Sequence, residues 1–96
     1  MTSAGLGAAI IAARPAVVAA LAARFRDLDL AEDGFADAVE LAMRQFADAP
    51  PPGNLGGWLH VAARRRIIDR LRRKARLAEL IAAQPEEAEG EDMTVV

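Results

Sequence analysis

The 96-residue sequence has no cysteine, no tyrosine, a single histidine and a single tryptophan. Without cysteine there is no disulfide frame and no thiolate chemistry, and a cytoplasmic location suits the chain. One histidine, His60, without cysteine does not assemble the usual zinc set. Hydroxyls are confined to Thr2, Ser3 and Thr94, all terminal, so no serine or threonine nucleophile is placed for catalysis. Aromatic residues make up 4% of the chain and β-branched residues are few, which disfavours a sheet. The apolar stretch from Ala4 to Ala13 is short, follows no basic residue and is interrupted by Arg14 and Pro15. Neither a signal peptide nor a membrane span is expected from it.

What the chain does hold is alanine and arginine. Its 53% apolar content, much of it alanine, is enough for one small helical domain with a modest core. Ile10, Val17, Leu21 and Phe25 recur on one helical face. Helix is expected on both sides of Pro15, with Pro15 opening the better half, because proline is tolerated in a first turn but not in an interior. Residues 26–30 form a short connector, and Asp29 is placed to cap a second helix running to about Phe46. Phe35, Val39, Ala42 and Phe46 form its apolar seam, with Ala38 beside them, while Asp33, Asp37, Glu40 and Arg44 point elsewhere. Gly34 weakens that helix by about 1 kcal/mol relative to alanine. The stretch DAPPPGNLGG at 48–57 breaks the pattern, and Asn54 is the expected cap of a third helix ending near Ala83. The expected fold is therefore all-α: a compact bundle of three main helices over residues 6–84. Residues 1–5 are a loose start. Residues 85–96, with five acids between Glu86 and Asp92, form an acidic linker or tail of a domain cut from a longer chain.

The third helix concentrates the charge. Eight of the twelve Lys and Arg residues lie between Arg64 and Arg76, in a chain of formal charge −2. At about 100° per residue, Ile67, Ile68, Leu71, Ala75 and Ala78 share one face. Arg65, Arg66, Arg70, Arg72, Arg73 and Arg76 share the opposite one, with Trp58 projecting onto the same side. Guanidinium forks suit phosphates and base edges, and an indole suits a splayed base. The plainer alternative is a solvated charged face, partly neutralised by Asp69 pairing with Arg65, Arg66, Arg72 or Arg73 at helical spacing. His60 projects onto the aliphatic side, where packing is the simpler role. The carboxylates Asp33, Asp37 and Glu40 have metal-like spacing, but no second carboxylate helix answers them. GNLGG at 53–57 lacks the strand before and the Lys-Ser/Thr after that a phosphate loop needs. The residues imply no enzyme, no metal and no cofactor.

The order of these features resembles region 2 of bacterial RNA polymerase sigma factors of the extracytoplasmic-function group. The residues carrying the resemblance are Ala31-Glu32-Asp33, Asp37-Ala38, Phe46, Trp58-Leu59, Ala63-Arg64 and Ile68-Asp69-Arg70-Leu71-Arg72-Arg73, with PPGNLGGWL similar to a Pro-Asn-Pro-Gly-like turn of one variant. It covers about residues 8–83. It departs from the family at Ala36, where Gln is common, and at Arg65, where Asn is frequent. The resemblance implies that Asp33, Asp37, Glu40, Met43 and Arg44 dock on the β′ clamp helices of the RNA polymerase core. It implies that Trp58, His60, Arg64, Arg65, Arg66, Arg70, Arg72 and Arg73 engage the non-template strand of the −10 promoter element and help to open it. For Trp58, stacking on DNA and packing in the core both stay open. An anti-sigma regulator is a further partner of such factors, and no membrane is implied. Two rival readings stand beside this one: a helical protein-interaction module with an Arg-rich face and no specific DNA binding, and a duplex-binding regulator, for which no short turn sets a recognition helix after a support helix.

Overall fold

A computed structural model of the chain describes residues 3–83; the expected acidic linker at 85–96 and residues 1–2 lie outside the described residues. Three helices and no strand are present among the described residues: α1 (Ser3–Phe25), α2 (Leu28–Gln45) and α3 (Leu55–Ala82). The all-α, three-helix fold expected from the sequence is the fold found.

Each helix contributes one seam to a common core. Leu6, Ile10, Val17, Val18 and Leu21 come from α1, Ala31, Phe35, Ala38 and Ala42 from α2, and Leu55, Leu59, Ala62, Ala63 and Ile67 from α3. Leu21, Leu59 and Ile67 are the largest side chains wholly removed from water. The α2 seam is mostly alanine, so α2 meets its neighbours at short range. At Gly34 the approach is closer still: a Cβ built there would lie 2.6 Å from Ile67 Cγ1 and 3.2 Å from the Ala63 carbonyl oxygen. Gly34 is thus not merely a weak helix residue; its missing side chain is the space that Ile67 occupies. Val39, Phe46 and Phe25, expected in the buried seams, are only partly buried at the core's margin.

Four expectations change. First, α1 begins at Ser3 and runs through Pro15 without a break. Leu6 and Ile10 before Pro15 and Val17, Val18 and Leu21 after it belong to one core, and this tertiary anchoring outweighs one lost hydrogen bond. Secondly, α1 is long and apolar enough to cross a membrane by length and composition, with a mean hydropathy of 1.9 over its best window. Here its large side chains at 6, 10, 17, 18 and 21 are buried in the bundle, and its exposed side is mostly alanine. Thirdly, the cap of α2 is Asp27, whose side chain accepts from the Leu30 N–H at 2.9 Å, not Asp29, which lies in the first turn. Asn54 caps α3 as expected, accepting from the Gly57 N–H at 2.9 Å. Fourthly, the aliphatic face of α3 does not stay buried. Ile68 is half-buried, Leu71 is 41% exposed, and Ala75 and Ala78 are exposed. From Leu71 to the end of the helix no residue is covered, so the distal part of α3 is an arm beyond the bundle.

The α1–α2 turn is tight because Arg26 adopts a left-handed conformation at φ 55°. That conformation reverses the chain, and Asp27 then takes the extended backbone of a cap. Glycine adopts it without the Cβ penalty. Arg26→Gly is therefore expected to stabilise the domain by roughly 0.5–1 kcal/mol, net of the freedom glycine adds to the unfolded chain. Urea denaturation would show a higher midpoint at unchanged slope. A lower midpoint would mean that the Arg26 side chain contributes more than its backbone costs.

Candidate nucleic-acid and polymerase interface

The basic stripe begins where α3 still packs on the bundle. Leu59, Ala62, Ala63 and Ile67 point inward, and helical geometry then turns Arg65 and Arg66 to solvent, with Arg64 half-buried beside them. Arg72, Arg73, Lys74 and Arg76 lie farther out on the exposed arm. The stripe is thus two regions of different support: a proximal set on the part of α3 that packs on the core and a distal set on the exposed arm.

Trp58 is packed against the core and meets Phe46 edge-to-face, ring centroids 5.0 Å apart at 67°. It remains partly exposed and forms one wall of a cleft of about 720 Å³ with Leu41, Gln45, Gly57, Val61, Ala62, Arg65 and Arg66. Of the two roles left open for Trp58, packing on the core is the one observed, and the partly exposed ring also lines a cleft that Arg65 and Arg66 share. His60 is half-buried. Leu41, Gln45 and Val61 were not singled out from the sequence. The cleft is built between the end of α2 and the start of α3, and no single-helix pattern signals such a junction.

On α2, Asp33, Glu40, Met43 and Arg44 are exposed and Asp37 is half-buried. Glu40 and Arg44 approach to 3.8 Å at i, i+4 spacing, a solvated pair of little energetic weight. Asp33 and Asp37 do not point away from α3. Arg70 reaches across, its Nη2 donating to Asp37 Oδ2 at 2.9 Å and its Nη1 to Asp33 Oδ2 at 3.4 Å. The acidic face and the basic stripe are therefore contiguous rather than held apart. Asp69 forms no ion pair among the described residues; the carboxylate partners of the stripe come from α2 instead. Asp69 lines a smaller depression of about 200 Å³ with Asp37, Arg66, Arg70 and Arg73. Helical spacing along one segment reveals only its own pairs, which is why a contact between positions 37 and 70 was missed.

A second inter-helix tie fixes α1 to α2. Arg14 donates to Glu32 at 2.9 Å, and its guanidinium carbon lies 5.5 Å from the Phe35 ring centroid. The Arg14–Glu32 pair ties α2 to α1, whereas the Asp33–Arg70 contact ties it to α3.

The sigma-70 region 2 family model matches residues 10–77, which include both the acidic face and all of the basic stripe. An uncharacterized protein of Rhizobium meliloti (strain 1021) is 38% identical over 77 residues, covering 79% of this chain and 18% of that one. The chain thus spans less than a fifth of the length of that relative. No solved structure matches. The match extends through core, cleft and both charged faces, and the chain belongs to the sigma-70 region 2 family.

Proposed function

We propose that the chain acts as region 2 of an extracytoplasmic-function sigma factor in the cytoplasm, docking on the RNA polymerase core and recognising and opening the −10 promoter element, with no catalysis of its own. Family membership supports polymerase binding and promoter recognition in general. The observation that carries the finer reading is the pairing of an acidic face on α2 with a basic, Trp-flanked cleft between the end of α2 and the start of α3. Asp33, Asp37, Glu40, Met43 and Arg44 meet the β′ clamp helices. Trp58, His60, Arg64, Arg65, Arg66, Arg70, Arg72 and Arg73 meet the non-template strand. Unstacking a base costs a few kcal/mol, so opened DNA needs a surface that holds the displaced base. The cleft offers an indole and apolar walls for a base, and its arginines suit the flanking phosphates. An anti-sigma regulator covering either face is the remaining partner, and the reading requires no membrane contact.

The rival reading, a protein-interaction module, draws on the exposed arm. Leu77, Leu80 and Ile81, just beyond the arginines that end at Arg76, are 58–60% exposed, and an acidic, apolar partner would cover both parts of the arm. A pull-down on an isolated β′ clamp-helix fragment separates the two. Wild type is expected to bind, and Glu40→Arg, which leaves the Arg70 contacts in place, is expected to lose tenfold or more at moderate salt with helicity unchanged. Asp37→Arg should lose at least as much. A well-folded wild type that does not bind the fragment would favour the interaction module.

A further inference from the structure

Arg70 is counted with the DNA-facing residues, yet its guanidinium is engaged by two carboxylates counted with the polymerase-facing ones. Both contacts are partly solvated: side-chain exposure is 43% for Arg70, 64% for Asp33 and 26% for Asp37. Exposed ion pairs of this kind are individually weak and readily exchanged. Asp33 and Asp37 are also like charges at i, i+4 spacing, a mutual repulsion that the bridging guanidinium relieves. Among the described residues Arg65, Arg66, Arg72, Arg73, Lys74 and Arg76 form no ion pair, so Arg70 is the member of the stripe neutralised from within.

We infer that Arg70 is a latch shared by the two faces: a cationic partner that takes Asp33 and Asp37 releases the guanidinium to a nucleic-acid phosphate. The inference deepens the function proposed above and rests on it for the identity of the cationic partner. By linkage the coupling is reciprocal, since a phosphate that draws Arg70 away leaves both carboxylates free for a basic surface. Each ligand therefore raises the affinity of the other without any change in the bundle. Because the two pairs are exposed, the coupling lies at the low end of the usual range, about threefold to tenfold.

The test is a double-mutant cycle on the 96-residue chain, read by the anisotropy of a labelled oligothymidylate over a salt series. Asp33→Asn/Asp37→Asn opens the latch. Asp29→Asn/Glu40→Gln removes the same charge from α2 and leaves the latch closed. The open-latch variant is expected to bind about threefold or more tighter than this control, and its salt dependence should steepen by roughly 0.7, the increment of one further phosphate contact on a single strand. Arg70→Gln should cost little in the wild type and several-fold in the open-latch background. Equal losses in both backgrounds, an open-latch variant no tighter than the control, or no oligonucleotide binding by it would each overturn the latch. Asp33→Ala/Asp37→Ala, with higher helix propensity, repeats the cycle where the asparagines lower helicity. The measurement uses neither promoter sequence nor polymerase. It can therefore fail while the clamp-helix pull-down succeeds, and the reverse.

Discussion

Ile67→Ala is expected to cost the domain about 2–5 kcal/mol, and to cost markedly less when Gly34 is already alanine. Ile67 is wholly buried, so truncating it removes apolar contacts on all sides and leaves a cavity that α2 and α3 cannot fully close. Gly34→Ala alone has two opposed effects. Alanine favours the helix by about 1 kcal/mol, but its methyl group would lie 2.6 and 2.7 Å from Ile67 Cγ1 and Cδ1. Overpacking of that kind typically costs 1–3 kcal/mol, so the single variant is expected to be destabilised, modestly. With both substitutions the clash disappears, the new methyl group fills part of the cavity, and the helix preference is recovered. The coupling is expected at about 1–3 kcal/mol in favour of the double variant, measured by urea denaturation of all four proteins at a common slope. Additive effects would show that the helices separate freely at this contact and that the close approach does not fix their spacing.

That contact also shows where a sequence is legible and where it is not. The apolar positions of each helix repeat at helical spacing, so three helices and about half of the buried residues could be read directly, among them Leu21, Phe35 and Ile67. Asn54 as a cap was equally plain, because it follows the proline run and precedes an unbroken helical stretch. Gly34 gave only a local signal, a loss of helix propensity, since its role depends on a residue 33 positions away in the sequence. Arg70 is similar: on its own helix it belongs to a positive stripe, and only the packing angle of α2 against α3 brings it to Asp33 and Asp37. Asp27 and Asp29 are both acceptable caps by residue type. The choice between them was made by the left-handed Arg26, which sets the cap two residues earlier than Asp29. The aliphatic face of distal α3 continues in sequence beyond Ile67, while α1 and α2 offer it nothing to pack against. Periodicity reports which face is apolar and leaves open what covers it.

Pro15 carries the second large effect. Pro15→Ala is expected to raise stability by about 2 kcal/mol, because the interior of α1 now carries a residue that disfavours helix by about 3 kcal/mol while restricting the unfolded chain by up to about 1. Proline has no N–H, so the Ile11 carbonyl loses its partner four residues on. Ile11 is 73% exposed and Pro15 is exposed, which sets this break on the solvent side, where water takes the freed carbonyl. The helix persists because Leu6 and Ile10 before the proline, and Val17, Val18 and Leu21 after it, belong to one core. Alanine restores the hydrogen bond at a position that is exposed. For a domain of this size each kcal/mol moves the melting temperature by about 4–8 °C, so thermal unfolding followed by circular dichroism resolves the change easily. A rise would mean that packing holds α1 together in spite of Pro15. A fall would mean that the proline sets a bend which Ile10 and Val17 both need in order to reach the core, and α1 would then be two packed segments sharing one axis only approximately.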